Sequence, residues 1–172
     1  MKVAISSGHG KHIRGASGYI DEVNNARLVV ERVAELLDRR GIETDSWHDN
    51  ISDDQSENLN RIVDWHNSQT RDLDISVHFN AYEPTEQPMG TEVLYVSQEA
   101  LAIRLSAAIA AAGNLIDRGG KYRSDLYFLN QTEEPAVLLE ICFVDSQTDA
   151  TAYQNNFQHI CQAIADVITE GI

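Results

Sequence analysis

Two histidines and two carboxylates stand where a metal-assisted hydrolysis would need them. His9 lies between Gly8 and Gly10, just after a short apolar run, and the flanking glycines let the backbone bend so that the imidazole faces outward. His78 closes the alternating run from Leu73 to Val77 and is followed by Phe79 and Asn80. Glu140 interrupts the apolar stretch Ala136-Val137-Leu138-Leu139-Glu140-Ile141-Cys142-Phe143, the pattern of a strand covered on both faces. An unpaired carboxylate there costs several kcal/mol or stays protonated, so a cation or a catalytic setting is expected to compensate it. Glu22 falls in Asp21-Glu22-Val23, at the start of a long helical pattern.

Taken singly, each has a plainer explanation. A strand-end histidine is often just a satisfied polar residue. Glu140 would be ordinary on an edge strand facing solvent, and the helix dipole alone favours a carboxylate at Glu22. Together they say more. Two histidines and one carboxylate, with a fourth position left to water, make the donor set of a catalytic zinc, and a further carboxylate beside that water serves as general base. Zinc lowers the pKa of water to about 7, which makes hydroxide available near neutral pH. The spacings are long, and no compact HExxH motif is present.

These residues need a scaffold that brings strand ends together. Lys2–Ser6 reads as a strand. Val23, Ala26, Val30, Val33, Ala34 and Leu37 recur at helical spacing, and the helix is expected to stop at Gly41. Further strands are expected at Ile42–Trp47, from Leu73 through Phe79, at Thr91–Val96, Leu126–Leu129 and Ala136–Phe143. Helices are expected around Leu59, Ile62 and Val63, over Gln98–Ala112, and where Tyr153, Phe157, Ile160, Cys161, Ile164 and Ile168 share a face. This alternation predicts an α/β fold: a single open, mainly parallel, roughly six-stranded sheet with helices on both faces. Reactive groups in such sheets gather at the carboxyl ends of the strands, where His9 and His78 fall.

Composition narrows the function. At 172 residues the chain is expected to be one domain, with 27 acidic against 13 basic residues and a net charge of −14. Such a surface repels phosphate backbones and anionic lipid, so neither nucleic acid nor membrane is an expected partner. Cys142 and Cys161 lie in apolar runs and read as buried thiols. No signal peptide is visible in MKVAISSGHG, so synthesis in the cytoplasm is expected. Of the other histidines, His66 is expected to border the core of its helix and His159 to sit among polar residues. His12 lies close to the glycine loop, and nothing in the pattern gives His48 a role.

In order and spacing, SSGHG, GASG, DEVNNARL, DLDISVHFNA, GTEVLYVS and PAVLLEICFVD resemble the zinc-dependent N-acetylmuramoyl-L-alanine amidases of the amidase-3 type, bacterial and phage cell-wall hydrolases. The resemblance spans nearly the whole chain. It implies one zinc ion held by His9, Glu22 and His78, with Glu140 as the catalytic glutamate, and peptidoglycan as substrate. The bond cut would be the amide between N-acetylmuramic acid and the L-alanine of the stem peptide. Asn80, on the same strand face as His78, is expected to orient water or substrate.

Two departures from the family pattern stand out. Ser6 occupies the position of an acidic residue that would orient His9 from the outer shell, and its absence bears on metal affinity. His48-Asp49-Asn50-Ile51 replaces an Arg-containing turn. Only Tyr82–Gly90 separate two strands where some relatives insert a blocking helix, so the site is expected to be open. Residues 1–172 are expected to act as a monomeric catalytic domain without a wall-binding domain, reaching the wall by phage-like release or another route of export. A zinc peptidase cutting the stem peptide, and a non-catalytic wall-binding relative, remain the alternatives.

Overall fold

The first strand, β1 (Lys2–Ser7), turns Val3 and Ile5 towards one face of a sheet and Ala4 and Ser6 towards the other. A computed structural model describes residues 1–171 and shows how that alternation is used on both faces. After β1 come α1 (Glu22–Arg39), β2 (Glu43–Trp47), α2 (Gln55–Ser68) and β3 (Leu73–Asn80). The chain continues through β4 (Thr91–Tyr95), α3 (Glu99–Gly113), β5 (Asp117–Tyr122), α4 (Tyr127–Gln131), β6 (Ala136–Phe143) and α5 (Gln147–Thr169). The six strands form one open sheet in the order β2-β1-β3-β6-β4-β5. Every pairing is parallel except β4 with β6.

Residues of odd number on β1, β3 and β6 pack with α1, α3 and α5 into the larger core, which includes Val3, Ile5, Ile75, Val77, Leu139 and Ile141. The opposite face carries a smaller core, in which Ala136, Leu138 and Leu94 meet Ile62 and Val63 of α2 and Phe128 and Leu129 of α4. Each fully buried Leu, Ile or Phe side chain contributes about 1.5–3 kcal/mol. The expected mainly parallel α/β sheet is therefore the one observed. Both cysteines are free and buried. Among the described residues no helix is long and apolar enough to cross a membrane.

One stretch differs from the expectation. Leu126–Leu129, expected as a strand, leads into the short helix α4, and the sixth strand is instead Asp117–Tyr122. An apolar run of four residues carries no period that separates helix from strand. Phe128 and Leu129, adjacent in sequence, both enter the smaller core, which strand geometry forbids. The unexpected strand, DRGGKY, lies at the sheet edge, has no apolar alternation, and bends where Gly119 takes a φ of +79°. The chain between β3 and β4 contains no helix, as expected from its length.

Candidate metal centre and active site

Three side chains from three elements converge at the carboxyl ends of β1 and β3. Asp21, not Glu22, caps α1, its side chain accepting from the amide of Asn24 at 2.8 Å. Glu22 is thereby released from capping, and its carboxylate turns inward, only 3% exposed. Its Oε2 accepts from the amide of Ala16 at 2.7 Å, and its Oε1 accepts from the amide of Phe79 at 3.1 Å. The same Oε1 lies 3.2 Å from His78 Nδ1 and 3.4 Å from His9 Nε2. Burial works to raise the pKa of Glu22, but hydrogen bonds and charge from His78 and His9 hold it well below the usual carboxylate range. For His78 burial dominates and pushes the imidazole down, towards the neutral form that a metal requires.

The geometry suits a metal ion. One ligand atom from each of His9, Glu22 and His78 can be chosen so that all lie within 4.8 Å of one another. A tetrahedral zinc with ligands at 2.0–2.1 Å separates its donors by roughly 3.3 Å, close to the 3.2 and 3.4 Å found here. The two imidazole rings meet edge to face, 5.0 Å apart at 79°. Two glycines make room. A Cβ on Gly8 would fall 1.7 Å from His78 Nε2, and one on Gly15, where φ is +64°, would fall 2.4 Å from Glu22 Oε2.

The outer shell of His9 differs from that of His78. His9 Nδ1 is buried and has no partner among the described residues. Ser6, where the family pattern has its acidic residue, faces the other way and shares a hydrogen bond of 2.9 Å with His66 Nε2. His66 is fully buried and is held by Asp74 Oδ1 at 2.7 Å, deeper than a residue bordering the core. In the turn after β2, Asp49 is fully buried and accepts from the amides of Ile51 and Ser52 and from Asn58. His48 bonds to Ser7 Oγ at 3.0 Å, while His12 and His159 lie exposed.

Glu140 lies one strand over, paired in register with His78 across β3 and β6. With β4 on its other side, β6 is an interior strand, which removes the edge-strand explanation for this carboxylate. Glu140 Oε2 is buried without a partner. Burial, with the nearby charges of Glu22 and Glu92, pushes its pKa up to about 8, while Arg123 opposes the shift. Asn80 donates to Glu92 Oε1 at 3.1 Å and accepts from the amide of Ala81, so it lines the cleft beyond Glu140 and not the metal cluster.

Sequence reasoning passed over Glu92, Arg118 and Arg123. Glu92 interrupts the apolar strand Thr91–Tyr95 as Glu140 interrupts its own, so the argument that found one would have found the other. Arg118 lies in the unrecognised strand β5 and carried no comparable signal.

The chain is similar to known proteins along nearly its whole length. The family model described as N-acetylmuramoyl-L-alanine amidase matches residues 3–172. An uncharacterised 38.4 kDa protein of Clostridium perfringens is 32% identical across the whole chain, which covers 51% of that relative. The chain spans about half the length of the first curated relatives it matches. The catalytic domain of the CD27L endolysin targeting Clostridia difficile superposes with a TM-score of 0.89 at 26% identity, over 99% of this chain and 98% of that one. The catalytic domain of CwlV, an N-acetylmuramoyl-L-alanine amidase from Bacillus (Paenibacillus) polymyxa var. colistinus, gives 0.79 at 26% identity, over 99% and 97%.

Proposed function

The chain belongs to the N-acetylmuramoyl-L-alanine amidase family, and from that premise we propose that residues 1–172 form one catalytic domain that uses zinc to cleave peptidoglycan between N-acetylmuramic acid and the L-alanine of the stem peptide. The observation that carries the reading is the convergence of His9, Glu22 and His78, with Glu140 in register beside His78. In this reading the first three hold the zinc ion and Glu140 is the general base. The domain works as a monomer on the wall, which it reaches after release or export.

A zinc ion held by His9, Glu22 and His78 would supply Lewis acidity for hydrolysis of the amide near neutral pH. Glu22 is fixed by the amides of Ala16 and Phe79, so the donor set is organised before substrate arrives. Glu140 Oε2, buried and unpartnered, takes a proton from the attacking water. Once protonated, the same carboxyl hands that proton to the departing alanine nitrogen. The antiparallel neighbour Glu92 is occupied by Arg118 and Asn80, which leaves the proton transfers to Glu140.

Mass spectrometry of purified peptidoglycan digested with and without a chelator tests this. Free stem peptides beginning at L-alanine beside intact glycan, formed only without chelator, are expected. Fragments cut within the peptide would replace the amidase by a zinc peptidase. Absence of cleavage with zinc present would make the chain a binding relative.

A further inference from the structure

Beyond Glu140 the sheet face opens into a cleft of about 410 Å³ lined by Asn80, Tyr82, Glu92, Arg118, Arg123 and Phe143. Two arginines in one cleft run against a chain of net charge −14, whose overall field repels acidic ligands. Both guanidiniums reach solvent, with side chains 36% and 44% exposed, but each is held by a carboxylate. Arg118 donates from Nε to Glu92 Oε2 at 2.8 Å, and its guanidinium carbon sits 5.1 Å from the centre of the Phe143 ring. Arg123 is held by Asp125 through Nε and Nη2, both at 2.8 Å. Among the described residues, no acceptor takes Nη2 of Arg118 or Nη1 of Arg123. Guanidinium groups fixed on one side with donors free on the other are organised for a planar anion.

We propose that Arg118 and Arg123 bind a carboxylate on the peptide side of the substrate, on the residue that follows the L-alanine. The inference rests on the amidase reading, which supplies the substrate. Its direction follows from chemistry. The carboxyl of the muramic acid is consumed in the scissile amide, so acidic groups near that bond belong to the peptide. The site's other flank, about 290 Å³, is walled by Leu59, Leu126, Phe128 and Leu138 and contains no arginine or lysine, so it offers a carboxylate no cationic partner. The peptide therefore leaves over β4 and β5, and the arginine cleft discriminates a free carboxylate from its amide.

The probes are two preparations of solubilised peptidoglycan with the same stem peptide, one carrying D-glutamate and one D-isoglutamine after the L-alanine. The γ-carboxyl of that residue is spent in the bond to the next, so they differ only in whether its α-carboxyl is free or amidated. With zinc-loaded protein, kcat/KM is expected to favour the free acid by about 10- to 100-fold, the worth of charge-assisted hydrogen bonds. Arg118→Gln and Arg123→Gln should each bring the acid-to-amide ratio towards one. Arg123 is part-exposed and outside the core, so its variant tests the idea even if Arg118→Gln disturbs the fold. Equal kcat/KM for the two probes in the wild-type protein, or an undiminished preference in Arg123→Gln, overturns the carboxylate site while leaving the amidase intact. Failure to release stem peptide from either preparation overturns the amidase reading, and the inference with it.

Discussion

Glu140 and Glu92 stand opposite one another in the antiparallel pairing of β6 with β4, two carboxylates side by side on one face of the sheet. Their surroundings differ. Glu92 is matched by Arg118 and Asn80, whereas Glu140 keeps one oxygen buried and unpartnered. A pair of titratable groups in unequal environments suits a division of labour, one group spent on structure and one, in the proposed function, free for proton transfer.

Replacing Glu140 by Gln should therefore separate metal binding from turnover. The amide is isosteric and Glu140 is not one of the three proposed ligands, so zinc stoichiometry should stay at one per chain. Turnover should fall by about 10²–10⁴-fold, the range for losing a general acid–base. Metal analysis and a peptidoglycan digestion assay on the same sample check both halves, and substantial residual activity would remove Glu140 from the base role.

Glu92→Gln should shift the pH profile. Burial first, then the charges of Glu22 and Glu92, pushes the pKa of Glu140 up to about 8. Removing the Glu92 charge lowers the pKa of Glu140, so the base is ionised at lower pH and the acidic limb of kcat/KM moves down. A bound divalent cation moves it in the same direction. Rate profiles of wild type and variant, both zinc-loaded, measure the displacement; a shift to higher pH would contradict the assigned coupling.

Gly8→Ala is expected to weaken metal binding by at least about tenfold without unfolding the chain. The added methyl would overlap the His78 ring, 1.7 Å from Nε2 and 2.0 Å from Cε1, so the ring must leave its place beside Glu22. Overlap of this kind is relieved by side-chain and backbone shifts costing about 1–3 kcal/mol, within reach of a domain's stability. Zinc titration against a chelating indicator, alongside thermal melts of metal-free protein, distinguishes a lost site from a lost fold.

Much of the fold and of the candidate metal site is legible in the sequence, for identifiable reasons. The alternation from Leu73 to Phe79 and the apolar run around Glu140 fix a face for every side chain, so pattern alone assigns His78 and Glu140 to strand positions. The helical spacing from Val23 to Leu37 likewise marks α1. Glu22 is harder. A carboxylate at a helix start reads as electrostatic complement, and only the capping bond from Asp21 frees it to turn inward. Strand β5 escapes because an edge strand with Gly119-Gly120 needs no apolar alternation. The partners of Glu92 and the outer shell of His9 depend on contacts between residues far apart in sequence, which no local pattern encodes.

Ser6, His66 and Asp74 have the connectivity of a nucleophile triad, and burial denies them that use. Asp74 accepts from His66 Nδ1 at 2.7 Å, so His66 Nε2 must accept in turn from the Ser6 hydroxyl at 2.9 Å. All three are fully buried, beneath the sheet's end and out of reach of substrate. Asp74 also takes Nε and Nη2 of Arg71, at 3.0 and 2.9 Å, and this buried ion pair sets the consequence of mutation. Asp74→Asn leaves the Arg71 guanidinium uncompensated and should cost about 3–5 kcal/mol. For a chain of this length that lowers Tm by about 6–20 °C. Ser6→Ala removes a single hydrogen bond and leaves His66 Nε2 unmatched, a loss of about 1–3 kcal/mol. Melting curves should rank the two variants in that order, and both should still cleave peptidoglycan at temperatures where they are folded. Abolished turnover in folded Ser6→Ala would instead make this serine part of the chemistry.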